Sequence, residues 1–252
     1  MKRGAATQGK VAESVSGAGG IEIKATIPDA QIDKALARFK LSADNDQERF
    51  IYFFDTPALD LLNAGIVARA RRIIGKEHDS TVKARPVVPE KVSTDWNKYP
   101  GFKIEADASE KGVGKSASLS MPVEKGLIKA VLAGEKKIVK LFAREQEAFV
   151  AELVKGKIDY STVAILGPLH AQRWKLEDRG CPWPITAELW RREDGERLME
   201  VSIKAPIPQA AAAIGGFMAF LAEMGAERDT EQQTKTRWAL EFYAAKLGAK
   251  AG

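Results

Sequence analysis

Residues 66–71 read Ile66-Val67-Ala68-Arg69-Ala70-Arg71, and residues 81–85 read Thr81-Val82-Lys83-Ala84-Arg85. Successive side chains of a strand point to opposite faces. Val67, Arg69 and Arg71 therefore share one face, and Lys83 and Arg85 share one opposite Val82 and Ala84. Together the two runs predict a hairpin over residues 66–73 and 80–87. The same period of two recurs at residues 21–27, where Ile21, Glu22, Ile23 and Lys24 alternate, and at 102–108, where Lys103, Glu105 and Asp107 fall on one side. Further strands are predicted at 50–54, 163–166, 171–176, 185–191 and 197–205. Strand phase adds Arg173 and Lys204 to the cations and Glu188 and Glu200 to the acids.

Helical signals lie between and after these runs. Asp29 is predicted to cap a helix carrying Ile32, Ala35, Leu36 and Phe39 on one stripe. Thr56 and Pro57 open a short helix that ends at Gly65. Residues 109–120, rich in Gly, Ser and Lys, are expected to form a loop. A helical insertion spans about 124–156, with Leu127, Val131, Leu141, Phe149 and Leu153 as core anchors. The last quarter predicts two helices, one nearly apolar all round and one over 229–247 carrying Trp238 and Phe242. Residues 1–19 read as a disordered tail and 20–252 as one domain.

Composition narrows the function classes. The 252 residues hold 39 Lys plus Arg against 34 Asp plus Glu, a net charge of +5, with one Cys and two His. One cysteine excludes a disulfide framework and any thiolate zinc cluster, and two histidines argue against His-rich metal sites and a His-centred triad. A charge of +5 is too weak a bias to imply nucleic acid. The most apolar stretch, residues 210–224, is too short to span a bilayer, and no export signal opens the chain, so a cytoplasmic protein with no membrane partner is expected.

Charge on nearly every strand allows two readings. The residues can form a solvated sheet face with cross-strand ion pairs. Alternatively, the strands close into a barrel with the charges inward and the apolar residues packed outward on helices. Buried charges are costly unless paired or bound to ions. Such a bore must be wet and must hold a highly charged ligand. Cations beside acids then point to a polyphosphate with a divalent metal.

Several segments, in order, resemble one family. Gly20-Ile21-Glu22-Ile23-Lys24 resembles the Glu-x-Glu-x-Lys opening strand of the CYTH superfamily, the triphosphate tunnel metalloenzymes. Residues 52–57 resemble its Tyr-Tyr-Asp-Thr-Pro segment, residues 65–71 its Gly-x-x-Leu-Arg-x-Arg strand and residues 81–85 its Lys-x-Arg strand. Residues 188–204 resemble the paired closing strands, and Gln233-Thr234-Lys235 stands where the family has a Ser-Lys pair. The resemblance implies an α+β fold: a closed antiparallel eight-stranded β-barrel with a through-tunnel, wrapped by helices.

It further implies that Lys24, Arg69, Arg71, Lys83, Arg85 and Lys235 bind phosphate, with Lys103, Arg173 and Lys204 added by strand phase. Glu22 and Glu200 would serve catalysis and hold Mg²⁺ or Mn²⁺, with Glu105, Asp107 and Glu188 as further metal ligands by phase. The implied activity is metal-dependent hydrolysis of a triphosphate-containing small molecule (inorganic triphosphate, thiamine triphosphate or a nucleotide) by a monomer or homodimer. Two departures motivate alternatives. Gly20 replaces the family's first glutamate, and Ser202 stands where a second acid often closes the last strand. A polyphosphate-binding protein without catalysis, or an ATP cyclase of the class IV type, would also fit.

Other features carry less. Gly112-Val113-Gly114-Lys115-Ser116 has the ending of a phosphate-binding P-loop, but Ser109 replaces its first glycine and no helical stripe follows. His78 and His170 are expected at edges, Cys181 as inert, and Trp174, Trp183, Trp190 and Trp238 as packing in the core or on the barrel exterior.

Overall fold

The computed structural model describes residues 17–109, 112–154, 158–177, 180–226 and 234–251. Residues 1–16 of the predicted tail, Gln233 of the Gln-Thr-Lys motif and the predicted helix start at 229 lie outside the described residues. Nine strands form one closed barrel: β1 (Ile21–Ile27), β2 (Gln47–Asp55), β3 (Ile66–Ile73), β4 (His78–Ala84), β5 (Phe102–Ser109), β6 (Gly112–Val123), β7 (Ala164–Leu176), β8 (Ile185–Arg191) and β9 (Arg197–Ala205). Their order around the ring is β1-β5-β6-β4-β3-β2-β7-β8-β9. Every neighbouring pair is antiparallel except β1 with β5, which is parallel.

The expected eight antiparallel strands are thus nine in a mixed barrel. The additional strand is β6, where a loop was expected over 109–120. Its inward positions are Gly114, Ser116, Ser118 and Ser120, residues of weak strand preference. Ala117 and Leu119 on its other face are fully buried. The P-loop-like segment lies on this strand, so no phosphate-cradling loop forms there. The two predicted runs at 163–166 and 171–176 are one strand, β7, which pairs with β2 through a bulge opposite Ile51 and Phe53.

The outward faces are apolar and helices cover them. Ile21, Ile23, Ala25 and Ile27 pack with Val201 and Ile203 against α1 (Asp29–Phe39) and α5 (Ala210–Glu223), through Ile32, Phe39, Phe217 and Phe220. On the opposite side Ala68, Ala70, Val82 and Leu119 meet α3 (Leu127–Leu132) and α4 (Arg144–Val154), through Ile128, Val131 and Phe149. The predicted helical insertion is therefore two α-helices and a short 3₁₀ turn (Ile138–Leu141). Gln146 of α4, fully buried, donates to the carbonyls of Ser80 and Leu119 and so ties the helix to β4 and β6.

Two caps differ from expectation. Asp29 is the first residue of α1 and makes no capping bond; its carboxylate accepts from Arg197 instead. The short helix α2 (Asp60–Asn63) is held by buried Asp55, whose carboxylate accepts the amides of Thr56, Leu61 and Leu62, while Thr56 Oγ1 accepts the Asp60 amide. Gly65, with φ +78°, turns the chain from α2 into β3, and its carbonyl accepts the Arg85 amide at 2.8 Å. A Cβ there would lie 2.3 Å from the Arg85 carbonyl oxygen. We expect Gly65→Ala to lower Tm by about 2–12 °C, from roughly 1–3 kcal/mol of backbone strain and the displaced Arg85 strand. Thermal unfolding checks this.

The last helix, α6 (Lys235–Ala251), packs differently from the others. Its Trp238, Ala239, Leu240 and Tyr243 form a buried cluster with Ile51, Phe53, Leu166, Leu169, Trp190 and Leu198. Those strand residues include inward positions, in phase with the charged ones. One side of the bore is therefore filled with hydrocarbon, and charge occupies the rest. Among the described residues no helix is long and apolar enough to cross a membrane.

Candidate functional site: a charged cavity inside the barrel

A cavity of about 850 Å³ occupies the barrel interior. Every residue proposed from sequence for phosphate or metal lines it: Glu22, Lys24, Arg69, Arg71, Lys83, Arg85, Lys103, Glu105, Asp107, Arg173, Glu188, Glu200, Lys204 and Lys235. The charges point inward, which removes the solvated-face reading. Eleven Lys and Arg side chains line the cavity against five Asp and Glu.

The charges sort into two groups. In the first, buried Asp107 is a hub: Lys24 Nζ lies 2.9 Å from Oδ1, Lys83 Nζ 3.4 Å from Oδ2, Arg85 is paired to it, and Ser116 Oγ donates at 3.1 Å. Lys24 also reaches Glu22 at 3.0 Å, and Glu105 pairs with Lys204. Glu22 Oε1 accepts from Ser202 Oγ at 3.4 Å. In the second group, Glu188 and Glu200 are direct cross-strand partners, and Lys235 joins them, paired to Glu188 and 2.8 Å from Glu200. Arg173 and Arg49 approach Glu188 at 3.6 and 3.8 Å. Arg71 forms a fork on Asp79, its hairpin partner, at 2.8 and 2.6 Å. Arg69 lies near Arg71, Asp79, Glu188 and Arg49 with its Nε buried and unpartnered.

Titration follows from this packing. Burial pulls Lys83 well below its usual value, reinforced by Lys24 and Arg85. Burial also holds Arg49 and Arg69 down to about 10. Burial opposes ionisation of Glu22 and Glu188, but Lys24 with Lys204 at Glu22, and Lys235 with Arg49 and Arg173 at Glu188, together outweigh it, so both stay below the ordinary carboxylate range. The cavity thus holds cations short of negative charge.

An incoming anion should raise the Lys83 value. Between that depressed value and the higher value in the complex, Lys83 takes up a proton on binding. Anion binding in this window therefore takes up a proton and weakens as pH rises. Calorimetry in buffers of different ionisation enthalpy should show that uptake in the wild type and its loss in Lys83→Met.

Sequence reasoning missed Arg49, Asp79 and the inward aim of Trp190. Arg49 lies two residues before Ile51 on the same face, a signal hidden because the predicted strand began at Phe50. Asp79 is legible only from the hairpin register. Trp190, placed with the packing residues, does pack, but into the interior, with the Lys235 ammonium 4.9 Å from its ring centre.

Among the described residues, no three His, Cys, Asp or Glu side chains gather to hold a metal ion. The five carboxylates expected as ligands are spread over both groups, each beside a Lys or Arg. The donor set does not make a resident metal centre.

No family model matches the sequence, and no curated protein matches it. The fold does match solved structures. One is a candidate adenylate cyclase from Bacillus halodurans, at 13% identity and TM-score 0.60, covering 87% of this chain and 96% of that one. Another is a candidate adenylyl cyclase from Hippeastrum with a dominant triphosphatase activity, at 18% identity and TM-score 0.58, covering 85% and 92%. At such identities the likeness shows the fold alone.

Proposed function

We propose that the cavity binds the triphosphate moiety of a small molecule and that the protein hydrolyses a phosphoanhydride bond of it. The observation carrying this reading is the excess of eleven cations over five acids on the lining of one cavity. A multiply charged anion is the guest that relieves such an excess. Triphosphatase chemistry in the Hippeastrum protein of the same fold supports the choice of reaction.

Phosphoryl transfer needs little covalent help from a protein; positioning and charge stabilisation dominate. Arg49, Arg69 and Arg173 at one end and Lys24, Lys83 and Arg85 at the other would grip phosphate oxygens and spread the charge that develops on the transferring group. Glu22 stays ionised, so it orients an attacking water through a hydrogen bond and is a poor base. Because the residues form no resident metal centre, Mg²⁺ or Mn²⁺ is proposed to arrive on the phosphate chain as part of the substrate.

The test is orthophosphate release from inorganic triphosphate, thiamine triphosphate and nucleoside triphosphates with Mg²⁺ or Mn²⁺. Glu22→Gln should lower kcat about 100-fold with KM changed far less. Cyclic nucleotide with pyrophosphate as products would replace hydrolysis by cyclisation. A second reading, binding without turnover, is favoured by the engagement of the carboxylates with cations of the protein itself. It predicts a raised Tm with triphosphate and no product with either metal.

A further inference from the structure

Among the described residues, Lys235 is the charged group of α6 that reaches between two facing acids of the barrel wall. Its ammonium is paired to Glu188 and lies 2.8 Å from Glu200, whose strands bring the two carboxylates directly opposite each other. Two facing carboxylates are the arrangement that holds a hard divalent cation when substrate or water completes the shell. Here the position is filled by a cation of the chain itself. Two features fix it there. The helix is anchored by Trp238, Leu240 and Tyr243 in the apolar part of the bore. The Trp190 ring lies against the ammonium.

We propose that Lys235 is a built-in counter-cation that closes the Glu188–Glu200 pair to divalent metal in the free protein. A tethered ammonium competes at an effective concentration in the millimolar range, so a free ion must displace a group that cannot diffuse away. The proposal concerns metal alone, and it stands or falls apart from the phosphate reading.

The experiment is a titration of Mn²⁺ without phosphate, followed by the electron paramagnetic resonance signal of the free ion. Wild-type protein should take up no stoichiometric Mn²⁺ at this pair. Lys235→Met, which keeps an unbranched stem against Trp190, should bind one ion at least about tenfold more tightly. Adding Glu188→Gln to Lys235→Met should remove that site, and Lys235→Arg should stay closed. Equal binding by wild type and Lys235→Met overturns the proposal, as does a folded Lys235→Met with no binding. If Lys235→Met fails to fold, Lys235→Gln takes its place. Stoichiometric binding by the wild type that Glu200→Gln abolishes overturns it whatever the variants do.

Discussion

Replacing Asp107 by alanine is expected to lower Tm by about 6–20 °C. The carboxylate is 6% exposed and stands against Lys24, Lys83 and Arg85. Removing it leaves three partly buried cations without their shared anion, and breaking a buried pair from one side costs about 3–5 kcal/mol. For a chain of this size each kcal/mol is about 2–4 °C. Asp107→Asn, which keeps shape and the Ser116 contact but loses charge, should show most of the loss. On the phosphate reading, triphosphate should raise Tm more in the Asp107 variants than in the wild type, because it supplies the missing negative charge. Thermal melts with and without triphosphate measure both effects. A drop below about 2 °C would mean that the three cations are already hydrated and the hub is not structural.

Arg69→Met should separate binding from stability, with opposite signs. Arg69 faces the bore with a buried, unpartnered Nε, and among the described residues no carboxylate lies within ion-pair distance of it. Charge-assisted hydrogen bonds contribute about 1.5–3 kcal/mol each, so loss of its contacts should weaken triphosphate binding about 10–100-fold. The free protein should melt higher, since burial holds the guanidinium down to about 10 and removing it relieves repulsion from Arg71. Arg49→Met should behave alike, and the double variant should fall short of additivity because the two charges repel each other. Calorimetric titration paired with thermal melts tests this. Unchanged affinity would mean that phosphate, if bound, sits only at the Lys24–Arg85 end.

How much of this was legible in the sequence depended on how local the signal was. Strand phase at Arg69, Arg71, Lys83, Arg85, Glu105 and Asp107 is a two-residue rule, and it placed those charges on one face without any tertiary knowledge. The choice between inside and outside was not local. Both faces carried plausible residues, and only closure of the ring turns Lys24 and Glu200 toward each other. Strand β6 was lost because a lining of Gly114, Ser116, Ser118 and Ser120 leaves room in the bore, and small polar residues in a row look like a loop. The parallel β1–β5 pair had no sequence signature, since register between distant strands is fixed by the ring. The target of Lys235 was equally hidden. A motif assigned it to phosphate, whereas its position opposite two glutamates depends on where α6 enters the barrel.

The ring closes through β1, which is zipped to β5 on one edge and to β9 on the other. During synthesis β1 must therefore wait for a partner, β9, that emerges about 170 residues later. Until then the β9-facing edge of β1 presents unpaired backbone, the sticky edge that invites association with other chains. The Glu188–Glu200 pair and the lysine that joins it form only once β9 is in place, whereas Asp107 can already gather Lys24, Lys83 and Arg85 before that seam is sewn.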